Sequence, residues 1–122
     1  MYLLIGFLLS GCSIHEEHLV FSTNLSVNDQ YKYIPDEVHK WSDIEEFKAK
    51  GGGDCEDFAL AKYRILTREL DVPKDRLDFI IVNNNHVILR YIGDYRTYYL
   101  DLDDTVKLKS SWSDFKVLHY KE

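Results

Sequence analysis

The chain of 122 residues is short of several things: it has two cysteines, two prolines, two tryptophans and a single methionine. So few cysteines exclude a disulfide-stapled miniprotein and any four-thiolate zinc site. Positive charge is scarce as well. Fifteen Lys and Arg stand against 21 Asp and Glu, a formal net charge of -6, and the cations are scattered among acids. No nucleic-acid-binding face is expected from that balance. No apolar run reaches the roughly 20 residues that a membrane-spanning helix requires, and there is neither an internal repeat nor a low-complexity tract. What the chain has is core material: 45% of it is hydrophobic and 14% aromatic, which suits one compact domain.

The two cysteines keep different company. Cys12 ends the stretch MYLLIGFLLSGC, an apolar run that closes on Leu9-Ser10-Gly11-Cys12. That ending resembles a lipoprotein signal peptide with its lipobox, although no Lys or Arg precedes the run. A buried N-terminal strand or helix is the alternative. With a lipobox, residues 1–12 are a signal whose cysteine is acylated, residues 13–30 a polar tether with a short strand near Leu19 to Phe21, and residues 31–122 the functional domain. The protein is then expected in the periplasm, held at the membrane by its lipid. Cys55 is left as a lone thiol in an exported protein, which points to reactivity rather than a structural bridge.

Along the domain, Pro35 suits a first helical position, and Ser42 with Glu45 reads as a capping box ahead of Ile44 and Phe47. Gly51, Gly52 and Gly53 stop that helix. Asp54 is a good N-cap for the next one, with Glu56 and Asp57 in its first turn and Arg64 and Arg68 toward its far end. Cys55, Ala59, Tyr63, Leu66 and Leu70 recur at helical spacing, Phe58 and Ile65 widen the stripe, and Pro73 closes the element. The remainder reads as strands at 77–82, 86–92, 95–102 and 115–120, separated by turn signals at 83–85 and Gly93-Asp94. Helices followed by a run of antiparallel strands give an α+β domain.

A cysteine at the first position of a helix has backbone N–H groups and the positive dipole end beneath its sulfur, both of which favour a thiolate. The glycines before it permit close approach of a substrate backbone. His86 stands at the head of one strand and Asp101 near the end of the next. Pairing 86 with 101 centres their hairpin between 93 and 94, where the turn signal lies. Cys55, His86 and Asp101 thereby come together as nucleophile, base and orienting carboxylate. Asp103 and Asp104 lie beside Asp101 and are alternative orienters. As residues in a helix's first turn, Asp54, Glu56 and Asp57 need be no more than N-terminal helix acids. Trp41 either lines the cleft or packs on the helix. His15, His18, His39 and His119 read as surface residues, and Tyr91, Tyr95, Tyr98 and Tyr99 as sheet packing.

Trp41, GGGDCEDFALAKYRIL, VPKDRL, HVILRY and YLDLDD together resemble the bacterial transglutaminase-like cysteine peptidases, the family of the LapG-like periplasmic adhesin proteases. The resemblance implies a papain-like, transglutaminase-like fold and a catalytic triad on Cys55, His86 and Asp101. It also implies a Ca2+ site that includes Asp54 and Glu56, with Asp57 beside them. Its substrate is expected to be an exported or cell-surface protein such as an adhesin, and the enzyme a monomer. A calcium ion also resolves an oddity of charge. Three carboxylates beside Cys55 disfavour its thiolate, and a bound cation reverses their effect. The same triad would serve a transglutaminase or deamidase, and the same fold could serve a binding lipoprotein without catalysis.

Overall fold

The computed structural model describes residues 2–35, 43–83, 85–103 and 115–120. A long helix α1 (Tyr2–Gln30) leads to a two-residue strand β1 (Lys32–Tyr33), a short helix α2 (Ile44–Lys50) and a two-residue strand β2 (Gly52–Gly53). Helix α3 (Cys55–Arg64) follows and runs into a π-helical turn (Ile65–Glu69). Four strands come next: β3 (Leu77–Val82), β4 (His86–Ile92), β5 (Thr97–Leu100) and β6 (Phe115–Leu118). They form one antiparallel sheet in the order β5-β4-β3-β6, while β1 and β2 pair in parallel as a separate patch. The α+β class follows from that order. Strands β3 and β4 begin and end where the sequence pattern sets them, whereas β5 and β6 are shorter than the expected 95–102 and 115–120.

The main core lies between the sheet and the helices. Leu77, Phe79, Leu89, Tyr91, Tyr98 and Leu100 from alternate strand positions meet Ala59, Leu60, Tyr63 and Leu66 of the α3 segment and Val20 of α1. Helix α3 is buried nearly all round rather than along one stripe, because α1 and α2 cover its second side through Val27, Phe47, Phe58 and Ala61. Of the tyrosines read as sheet packing, Tyr91, Tyr98 and Tyr99 are buried. Tyr95 sits in the β4–β5 turn and is 89% exposed.

Residues 13–30 are helix, not tether, and no strand forms near Leu19 to Phe21. Val20, Thr23, Asn24 and Val27 are buried at helical spacing, and two of those four are polar, so the stripe escapes a search for apolar periodicity. Glu16 and Glu17 accept hydrogen bonds from the Tyr91 and Tyr98 hydroxyls at 2.6 and 3.1 Å, pinning the helix to the sheet. Among the described residues no helix is long and apolar enough to cross a membrane. The cap of α2 is also one residue later than expected. Asp43, not Ser42, accepts from the Glu46 N–H, at 2.8 Å. Ser42, His39 and Trp41 lie outside the described residues.

One of the three glycines stops α2 as expected, and the other two do different work from the close substrate approach expected of them. Gly51 ends α2 in the left-handed conformation at φ 79°, donating to the Phe47 and Lys48 carbonyls. Gly52 has φ 154°, and a Cβ there would fall on the Lys32 backbone. A Cβ on Gly53 would collide with the Asp57 carboxylate. The backbone that approaches these glycines is thus the protein's own, drawn in by the Lys32 N–H to Gly51 O bond at 2.9 Å and the Ile34 N–H to Gly53 O bond at 2.7 Å.

These contacts separate the glycines by experiment. Gly51→Ala meets open space and costs only the left-handed conformation, about 1–2 kcal/mol. Gly52→Ala adds a backbone collision that must open the β1–β2 pair, and should cost about 3 kcal/mol or more in urea denaturation. Equal effects of the two substitutions would contradict the close approach of β1.

Candidate active site

The site starts from a helix start. Asp54 caps α3 in an extended conformation; its Oδ1 accepts from the Asp57 N–H at 3.2 Å, and Asp57 Oδ2 accepts from the Asp54 N–H at 3.1 Å. This reciprocal box makes Cys55 the first helical residue, at the N–H end of the opening turn. Cys55 is a free thiol, half-buried and packed against the main core.

His86 is the first residue of β4, opposite Val82, and Asp101 follows the last residue of β5. Because β4 and β5 are antiparallel, both lie at one end of the sheet. His86 Nε2 and Asp101 Oδ1 are 2.6 Å apart. The register is offset from the expected one: Leu89 pairs with Leu100 and the turn closes through Gly93 N–H to Arg96 O. Carried on, it sets Asp103 opposite His86 and Asp101 opposite Ile88. The contact is therefore a diagonal one, across a neighbour two residues along, which a long side chain such as His spans readily. Asp103 instead offers its backbone carbonyl to Asn24 and Asn28, and Asp104 lies outside the described residues.

The Cys55 thiol lies near enough to the imidazole to help raise its pKa, so the three residues stand together at one end of the sheet. With Nε2 taken by Asp101, Nδ1 is the ring nitrogen left for sulfur. A carboxylate accepting from Nε2–H fixes the neutral tautomer in which Nδ1 is the acceptor. The Asp101 hydrogen bond, seconded by the one to Cys55, lifts the His86 pKa from 6.5 to about 9 against the opposing effect of burial.

The remaining expected site residues are the acids. Asp54, Glu56 and Asp57 are all buried, at 4, 8 and 2% exposure. Two of them make the capping box, so the helix-acid role is real. It does not exclude a cation, because a carboxylate offers about four lone-pair positions and one hydrogen bond occupies one of them. Among the described residues no three His, Cys, Asp or Glu side chains converge as a ready-made cage. Oxygen donors at the head of α3 suit a hard cation such as calcium, completed by backbone carbonyls and water. His15, His18 and His119 are exposed, as expected.

Two features had no sequence signal. Tyr33, on β1 opposite Gly53, lies close enough to Cys55 and Asp54 that their charges, after burial, raise its pKa. Lys62, in the middle of α3, is 1% exposed and donates to Asn24 Oδ1 at 2.8 Å and to the Asp101 carbonyl at 2.7 Å. A lysine between two alanine-flanked turns reads as a solvent-facing residue, and only the docking of α1 reveals it as buried.

Comparison with known proteins bears on the fold and the family. A solved structure of LapG from Legionella pneumophila superposes with a TM-score of 0.72 at 27% identity, covering 84% of this chain and 62% of that one. The EGTA-treated form of that protein gives 0.69 at 27% identity, with 84% and 61% covered. Its calcium-bound form gives 0.69 at 27%, with 83% and 62% covered. The chain thus spans under two thirds of the length of these solved relatives. No curated protein matches it significantly. The family model described as bacterial transglutaminase-like cysteine proteinase, BTLCP, matches residues 13–117. Covering most of the chain and every residue of the Cys55, His86 and Asp101 contact, that match places this protein in the bacterial transglutaminase-like cysteine proteinase family.

Proposed function

We propose that the protein is a cysteine endopeptidase that cleaves an exported or cell-surface protein by acyl transfer through Cys55, His86 and Asp101. The observation that supports it is the 2.6 Å contact of His86 with Asp101, with the Cys55 thiol near enough to the ring to raise its pKa. With His86 held as the imidazolium at neutral pH, the thiol proton already sits on the ring, and the Cys55 thiolate attacks the scissile carbonyl carbon. The oxyanion that forms is met by the Cys55 backbone N–H, which as the first of the helix has no acceptor within it. The protonated imidazole then gives its proton to the leaving amine, and the tetrahedral adduct collapses to a thioester. Water, deprotonated by His86, attacks that thioester, releasing the acid and restoring the thiol. Asp101 keeps the ring in the required tautomer throughout.

Iodoacetamide labelling and proteolysis test this together. Cys55 should label much faster than free cysteine at neutral pH, and His86→Ala should slow it sharply. In a digest of co-expressed cell-surface proteins, Cys55→Ala should leave no new fragments and His86→Ala should reduce them by roughly 10²–10⁴-fold. Intact substrate carrying an added amine, in place of fragments, would assign the same triad to transamidation. Labelling no faster than free cysteine would reject catalysis.

Calcium dependence is the finer part of the same proposal. Asp54 and Glu56, with Asp57 beside them, are the residues that would hold the ion, and the EGTA-treated and calcium-bound forms of the Legionella protein support the choice of metal. Its contribution there is electrostatic, offsetting the carboxylates around Cys55 and ordering the Gly51 to Asp54 loop. A ligand bound only by the native state stabilises it by about 2.7 kcal/mol at a hundredfold excess over Kd. Calcium should therefore raise the thermal midpoint, a chelator should lower it, and magnesium should substitute poorly. Asp54→Ala and Glu56→Ala should remove the calcium increment. Identical melts in all three conditions would leave the acids as helix caps alone.

We further propose that the protein is a periplasmic lipoprotein acylated at Cys12. The lipobox-like LSGC sequence supports this, and processing there would leave Glu16, Glu17, Val20, Asn24, Val27 and Asn28 in place on α1. The native protein should partition into detergent with an acyl mass increment, and Cys12→Ser should abolish both. A water-soluble chain still beginning at Met1 would refute it.

A further inference from the structure

Asp101 has no strand to hold it. β5 ends at Leu100, and the residue that must orient His86 is the first one beyond the ladder. Its backbone is nevertheless tied down from the opposite side of the domain. The Asp101 carbonyl accepts from Lys62 Nζ at 2.7 Å and from Asn28 Nδ2 at 3.0 Å. The Asp103 carbonyl accepts from Asn28 Nδ2 at 2.9 Å and Asn24 Nδ2 at 3.1 Å, and Asn24 Oδ1 accepts from Lys62 Nζ at 2.8 Å. The Asp101 carboxylate closes the motif locally, accepting from the Leu102 N–H at 2.7 Å with the same Oδ1 that meets His86.

We propose that Lys62, Asn24 and Asn28 are positioning residues for the reaction, fixing the 101–103 main chain so that the Asp101 carboxylate meets His86. The inference rests on the triad proposed above. An ammonium group with 1% exposure and an asparagine with none are costly to bury, and packing alone would be better served by leucine or methionine at both sites. Their placement is explained by the carbonyls they reach. Asp101 needs that restraint because its short side chain, with only two rotatable bonds, has little reach of its own. A shift of the 101–103 segment therefore moves the oxygen away from the ring by nearly the same distance. Helix α1 becomes part of the catalytic apparatus through Asn24 and Asn28, which reach the 101–103 carbonyls rather than the thiol or the imidazole.

The test uses the full chain and three variants. Asn28→Ala removes two donors from a half-buried position, Lys62→Met replaces the ammonium with an apolar group of similar length, and Val27→Ala loosens α1 packing while leaving the network intact. The His86 ring protons are titrated by NMR, iodoacetamide labelling is timed across the same pH range, and each variant is melted. In the wild type His86 should titrate at about 9. In Asn28→Ala and Lys62→Met the midpoint should fall toward 6.5 by about one unit or more, a tenfold change in proton affinity, with slower labelling. Val27→Ala should melt lower yet keep the wild-type midpoint. If Lys62→Met does not fold, Asn28→Ala decides alone. A wild-type midpoint in Asn28→Ala, or an equal fall in Val27→Ala, would overturn the inference. Slow labelling of the wild type with His86 still at about 9 would instead defeat the peptidase proposal and leave the positioning of Asp101 standing.

Discussion

The reciprocal hydrogen bonds between Asp54 and Asp57 decide where everything else at the site must be. They set the first residue of α3, and with it the height of the Cys55 sulfur above the sheet end where His86 and Asp101 meet. They also dictate their own surroundings. Asp57 folds back over residue 53, so only glycine fits there, and Gly53 in turn pairs with Tyr33. The link continues from β1 into α1, whose packing on α3 completes the burial of the helix that the box began. A capping motif usually worth about 1 kcal/mol of helix stability thus serves here as a reference point for three separate elements.

Charge burial is concentrated around that helix. Asp54, Glu56, Asp57 and Lys62 are all buried in or immediately before α3. A domain whose net stability is on the order of 5–15 kcal/mol cannot carry four such groups without compensation. The compensation differs by position. The two aspartates answer backbone amides at the positive end of the helix dipole, and the lysine answers carbonyl oxygens delivered by a loop. Each answered charge fixes something: the aspartates fix the position of Cys55, and the lysine holds the loop that carries Asp101.

The central strands were legible in the sequence because β3 and β4 carry β-branched and aromatic residues bounded by asparagine and glycine turns, and local chemistry alone specifies such elements. The helix start at Asp54 was legible for the same reason. The His86 to Asp101 contact was foreseen by a pairing two residues out of register. It survives because the imidazole reaches a diagonal neighbour as easily as a direct one. Helix α1 was misread since half of its buried stripe is polar, and one of its two polar residues, Asn24, bonds the 101–103 loop. Lys62 was illegible for a related reason. A buried cation looks like a surface one until the groups that receive it are in place, and those groups come from nearly 40 residues upstream and downstream.

The network behind Asp101 joins residues separated by 73 and 79 positions in the chain, and the lysine link spans 39. Contacts that distant are the last to form, because the loop they close must be ordered before they return any energy. The sheet and α3 can assemble from neighbouring segments, whereas the clamp awaits the arrival of the N-terminal helix against a loop near the other end. A partly folded chain would already hold its thiol at a helix start but would lack a fixed partner for the imidazole.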